Sequence, residues 1–137
     1  KFWNKRYKQI KRFEKNIFQN GTIILKFFLH LSEKEQKKRF IERIDNPKKN
    51  WKFTPPDVKE RGYWNDYQKA YEEALNNTST ENAPWFIIPA DDKWFTRLAI
   101  AEIMFRQFES LNLTYPEVSN EQKAELQKVK ESLMNEK

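Results

Sequence analysis

From Thr22 to Leu31 the sequence is almost continuously apolar, and Trp85 to Ile88 is apolar again, with about fifty residues of helical pattern between them. Unbroken apolar runs suit strands buried on both faces of a parallel sheet, whereas one-sided antiparallel strands alternate. Strands separated by helices imply parallel pairing through right-handed crossovers. The expected fold class is therefore α/β. Two such strands cannot cover their own edges and faces. The chain is thus expected to be part of a larger sheet, with further strands N-terminal to Lys1. Another chain, most simply a second copy in a homo-oligomer, should otherwise cover the exposed edges.

Helical elements fill the remaining sequence. Trp3, Tyr7, Ile10, Phe13 and Ile17 recur every three or four residues and place a helix over 2–19, with Asn20-Gly21 as its stop. Ser32-Glu33-Lys34-Glu35 reads as a capping box opening a second helix. Thr54 caps a third, with Pro55 at its first position and Asp57 three residues on. Trp64, Tyr67, Tyr71 and Leu75 form that helix's buried stripe, and Gly62 inside it marks a bend or a close contact. Residues 76–84 read as a loop. Asp91 is placed to cap a helix over about 92–110 that is apolar almost all round, so cover on several sides is expected. Leu113-Thr114-Tyr115-Pro116 is a linker, and residues 117–137 hold a peripheral helix over about 120–134.

Composition narrows the chemistry. No cysteine and one histidine, His30, exclude a disulfide framework, Cys-ligated metal and two-His zinc motifs. A reducing cytoplasmic setting fits, and no apolar run approaches the ~20 residues of a membrane span. The net charge of +6 favours anionic partners. The two glycines, Gly21 and Gly62, are too few and too far apart for a phosphate-cradling or dinucleotide loop.

The crossover concentrates cations: Arg39, Arg43, Lys48, Lys49, Lys52, Lys59 and Arg61. Phosphoryl transfer asks a protein for positioning and for cations around the moving group, and the planar guanidinium grips two phosphate oxygens. Most lysines on such helices are only solvated. Arg39 and Arg43 share a helix face beside Phe40 and Ile44, and Lys52 lies between Trp51 and Phe53, which sets these three apart. His30 ends a strand, where α/β ligand sites tend to lie, though a structural role is the ordinary one. Capping is the ordinary role for Asp91 and Asp92, and packing for Trp51, Trp64 and Trp85.

An ordered series of segments then becomes recognisable. It runs through Phe13-Glu14-Lys15, Asn20-Gly21-Thr22 and Lys26-Phe27-Phe28-Leu29-His30-Leu31-Ser32. Arg39-Phe40, Arg43-Ile44-Asp45 and Asn50-Trp51-Lys52-Phe53 follow. Glu60-Arg61, Trp64-Asn65-Asp66-Tyr67, Ala83-Pro84-Trp85 and Ala90-Asp91-Asp92-Lys93 complete it. Over about residues 7–116 the series resembles the C-terminal half of the polyphosphate kinase 2 family.

That resemblance implies a partial P-loop kinase fold, a parallel sheet with flanking helices and a helical lid, without the N-terminal strands and the P-loop. Residues 1–116 would form this portion, with the lid at about 45–64. It implies magnesium-dependent transfer of phosphate between inorganic polyphosphate and a nucleotide, with AMP, ADP and ATP as partners. The Phe-Phe-Leu-His strand and Leu-Thr-Tyr-Pro tail resemble members that accept AMP and ADP. By position, Arg39, Arg43, Lys52 and Arg61 would contact phosphate. Catalytic and metal-binding residues would lie outside this chain, which alone would be inactive. The alternatives are an ATP-dependent nucleotide kinase of related fold and a basic nucleic-acid-binding module.

Overall fold

A computed structural model describes residues 2–136. The chain falls into two compact units, residues 1–103 and 104–137. The first unit holds α1 (Phe2–Gln19), β1 (Lys26–His30), α2 (Glu33–Asp45), α3 (Pro55–Arg61), α4 (Trp64–Thr78), β2 (Trp85–Pro89) and most of α5 (Lys93–Ser110). A single 3-10 turn, Asn50–Lys52, interrupts the connection from α2 to α3. The second unit holds the end of α5 and α6 (Asn120–Met134).

The strands pair in parallel, Lys26 opposite Trp85 through His30 opposite Pro89. Phe27 and Phe86 stack across the pair with centroids 5.6 Å apart. The first strand is shorter than the apolar run from Thr22 suggests. Its pairing starts where β2 starts, and the Lys26 N–H donating to the Pro84 carbonyl at 3.3 Å is the first contact. Residues 22–25 have no ladder partner.

Local signals explain most boundaries. Gly21 stands at φ +85°, the left-handed conformation that closes α1 and that glycine adopts without a Cβ clash. At Ser32 the capping box is half made. The Ser32 hydroxyl accepts the Glu35 N–H at 3.1 Å, but the Glu35 carboxylate turns to the Arg39 Nε at 3.0 Å. At Thr54 the box is complete, with the Asp57 carboxylate accepting the Thr54 N–H at 2.8 Å. The helix expected to run through Gly62 instead breaks there, and α3 and α4 meet at Gly62-Tyr63. The expected loop from residue 76 is shorter, because α4 continues to Thr78 and a tight Thr80–Ala83 bridge turns the chain into β2.

Burial departs furthest from expectation. Buried apolar residues are Tyr7, Ala83, Ile88 and Ala90. Of the α1 stripe only Tyr7 is buried, and α5, expected to be covered on several sides, leaves Trp94 65% and Leu98 58% exposed. The apolar surface is present, but the two-stranded sheet is too narrow to cover it.

In the second unit Asn112 closes α5 at φ 46°, a left-handed conformation asparagine tolerates. Ser119 and Gln122 form a full capping box for α6. Every described residue from 111 onward is exposed.

Candidate functional site

The C-terminal ends of the strands are tied together before any ligand is considered. The Ala90 N–H donates to the His30 carbonyl at 2.9 Å, and the Ser32 N–H donates to the Asp91 carboxylate at 2.7 Å. Contrary to the expectation that Asp91 caps α5, its carboxylate accepts the Ser32 N–H at the start of the other loop. The Asp92 carbonyl accepts the first helical bond of α5, from Thr96.

This bond has an electrostatic consequence. The Ser32 N–H holds the Asp91 carboxyl below its ordinary pKa, with a smaller contribution from Arg39. A depressed carboxylate pKa gives stability above the ordinary value, lost as pH falls through the depressed one. Asp91→Asn should therefore flatten the acid limb of the melting-temperature profile below about pH 4. Thermal melts between pH 2.5 and 7 check this; an unchanged acid limb contradicts it.

Beside these strand ends, α2, α3 and α4 enclose a cleft of about 390 Å³. The strand presents Phe28 and His30 to it, α2 presents Gln36, α3 presents Arg61, and α4 presents Tyr67 and Tyr71. Tyr67 and Tyr71 lie four apart on one helix face and stack with centroids 6.2 Å apart. Phe28 packs on Tyr71 at 5.0 Å. The Tyr67 hydroxyl donates to the Glu60 carboxylate, which holds the phenol above its ordinary pKa.

The four cations expected to contact phosphate separate into two kinds. Arg39 is turned inward: Nε pairs with Glu35, and Nη2 donates to the Ala90 and Asp91 carbonyls at 2.7 and 3.2 Å. Arg61 lines the cleft but spends its guanidinium on α2, donating to the Glu33 carbonyl at 2.9 Å, the Gln36 amide oxygen at 2.8 Å and the Glu33 carboxylate at 3.2 Å. Arg43 lies over the Phe40 ring at 6.0 Å, and the Lys52 ammonium over the exposed Trp51 ring at 4.9 Å. Neither Arg43 nor Lys52 lines the cleft. Phe53 packs on Phe40 at 5.3 Å and anchors the chain beside Lys52. Lys48 and Lys49 are exposed.

One structural pair was not anticipated. The Lys26 ammonium donates to both Glu14 carboxylate oxygens, at 2.9 and 2.8 Å, and to the Thr78 carbonyl at 2.7 Å. It lies 5.2 Å from the Trp85 ring centroid. The signal was a lysine heading an otherwise apolar strand.

A parallel β pair with flanking helices, opening onto a cleft at the strand ends, is part of an α/β domain. The sequence model for polyphosphate kinase 2 matches residues 1–116. The chain belongs to the polyphosphate kinase 2 family, and its parallel sheet with flanking helices is part of a P-loop kinase fold.

A protein from the chlN 3′ region of Leptolyngbya boryana is 53% identical over 134 residues, covering 98% of both chains. An ADP-polyphosphate phosphotransferase from Rhodopseudomonas palustris is 48% identical over 133 residues, covering 97% of this chain and 46% of that enzyme. The crystal structure of polyphosphate kinase 2 from Arthrobacter aurescens superposes with a TM-score of 0.83 at 42% identity, covering 93% of this chain and 45% of the kinase. The chain thus spans under half the length of these two kinases and nearly all of the Leptolyngbya protein.

Proposed function

We propose that the protein carrying this chain transfers phosphate between inorganic polyphosphate and a nucleoside mono- or diphosphate, AMP or ADP. In the forward direction the terminal P–O–P bridge of polyphosphate breaks. A new P–O bond forms to a terminal phosphate oxygen of the nucleotide, and the polymer shortens by one unit. The observation that carries this reading is the ordered family match across residues 1–116.

Within that reaction this chain contributes the lid, about residues 45–64, and the cations at its base. Arg43 and Lys52, whose charges have no carboxylate partner among the described residues, take polyphosphate oxygens. Arg39 and Arg61 serve the same site by holding its frame. The chain has two glycines and so contains no glycine-rich phosphate loop; the reaction needs one from elsewhere. Magnesium belongs to the proposal as the reaction's cofactor. Among the described residues no group of three His, Cys, Asp or Glu side chains could hold a metal ion.

A homo-oligomer is part of the same proposal, supported by exposed apolar surface such as Ile87 at 62%. So is a cytoplasmic setting, which the cysteine-free sequence fits. Among the described residues no helix is long and apolar enough to cross a membrane.

The test is to supply the full protein with ADP, polyphosphate and magnesium, without ATP. ATP should appear as polyphosphate is consumed. Transfer only from ATP would favour the ATP-dependent nucleotide kinase. Tight RNA binding with a steep salt slope and no transfer would favour the nucleic-acid-binding module.

A further inference from the structure

Helix α1 carries its charge on one side. At about 3.6 residues per turn, Lys5, Lys8, Lys11, Arg12 and Lys15 fall within roughly 120° of one another, along about 15 Å of helix. All five are exposed. None of them has a carboxylate within ion-pair distance among the described residues. The one acid of α1, Glu14, lies outside that face and is committed to Lys26. Neighbours three or four apart, such as Lys8 with Arg12 and Lys11 with Lys15, repel one another and oppose the helix. A polyanion laid along the face would relieve that repulsion.

The rest of the helix decides which polyanion fits. A basic amphipathic helix that lies on a membrane buries its apolar side in the lipid. The apolar side of α1 is engaged elsewhere: Tyr7 is buried, α1 packs on α4, and Glu14 is tied to Lys26 at the head of β1. The helix cannot turn that side to a bilayer and keep these contacts. Single-stranded nucleic acid is held by cations interleaved with rings on which bases stack. Between Lys5 and Lys15 the cationic face carries no aromatic residue. It offers charge without a stacking surface, which suits a polymer that is charge alone. Inorganic polyphosphate is such a polymer, and the proposed reaction supplies it.

We infer that the Lys5–Lys15 face of α1 is a second track for inorganic polyphosphate, which holds the distal part of a long chain while its end reacts elsewhere. The inference rests on the proposed reaction for its ligand. The location comes from the unpaired charge of α1. Two weak contacts on one polymer act at a high effective concentration, so affinity rises once a chain is long enough to reach both. An oligomer that fills only the reacting site gains nothing from α1.

Phosphate transfer to ADP by the full protein, with long-chain polyphosphate and with the shortest oligomer that the wild type turns over, tests the track. The triple variant Lys8→Gln, Arg12→Gln, Lys15→Gln should raise KM for the long chain roughly ten-fold, the scale of three exposed ion pairs lost together. Its kcat, and its KM for the short oligomer, should match the wild type. The slope of log affinity for the long chain against log salt should become shallower by about two. None of the three side chains has an ion-pair partner, so the melting temperature should hold. Lys8→Arg with Lys15→Arg keeps the charge and should behave as the wild type. An unchanged KM for the long chain, or an equal rise for both lengths, overturns the second track and leaves the proposed reaction standing. If the triple variant loses RNA binding while its long-chain KM stays put, the face serves nucleic acid and the inference falls. If the wild type transfers phosphate from no polyphosphate of any length, both readings fall.

Discussion

Lys26→Met should lower the unfolding free energy by about 3–5 kcal/mol, the range for removing one partner of a buried ion pair. The side chains of Lys26 and Glu14 are only 11% and 12% exposed. Without the ammonium, the Glu14 carboxylate loses its ion-pair partner and the Thr78 carbonyl loses its donor. The tie joins three elements at once, because Glu14 lies on α1, Lys26 opens β1 and Thr78 ends α4. Thr78 is itself 3% exposed, and its hydroxyl accepts the Trp85 indole N–H at 2.9 Å, so β2 is drawn into the same knot. A loss of that size in a domain of this length lowers the melting temperature by roughly 10–20 °C. Glu14→Leu combined with Lys26→Met removes both charges and should cost less than the two single losses added together, since neither group is then left unpaired. Thermal and urea unfolding of the two single variants and the double variant make the comparison. Additive losses would mean that the pair is solvated in practice and that its geometry contributes little.

The sequence revealed elements better than it revealed partners. Helices began and ended where local chemistry set them: Gly21 closes α1, Thr54 with Asp57 in the first turn opens α3, and Ser119 opens α6. These signals act over three or four residues and can be read without knowing the fold. Strand length could not be read this way, because the apolar run from Thr22 says nothing about where its partner begins. The fate of the arginines was equally non-local. Arg39 and Arg43 are four apart on one helix and look alike by periodicity. Yet Arg39 reaches carbonyls fifty residues away in sequence, while Arg43 stays over its neighbour Phe40. The Tyr67–Tyr71 stripe was legible as one helix face, but it was expected to be buried, and both rings are instead exposed. That it lines a cleft depends on the break at Gly62, which periodicity offered only as a bend or a close contact.

That difference between Arg39 and Arg43 gives the second large effect. Arg39→Ala removes two hydrogen bonds to the Ala90 and Asp91 carbonyls and the ion pair with Glu35, on a side chain 27% exposed. Hydrogen bonds involving a charged group contribute about 1.5–3 kcal/mol, so a stability loss of about that size is expected. The turn it holds also carries Asp91, whose carboxylate secures Ser32 at the start of α2. Loosening it should disturb the mouth of the cleft. Arg39→Lys should rescue little, because a single ammonium cannot reproduce the flat fork that reaches two carbonyls and a carboxylate together. Arg43→Ala and Lys52→Ala should behave in the opposite way. Each loses at most a cation–π contact at a partly or fully exposed site, within about 0.5 kcal/mol of wild type. Both should weaken polyphosphate binding and lower turnover at unchanged melting temperature. Melting curves and titrations on the three alanine variants separate a positioning arginine from cations that touch the polymer. A stable Arg39→Ala protein that has lost only polyphosphate affinity would return Arg39 to the phosphate-contacting set.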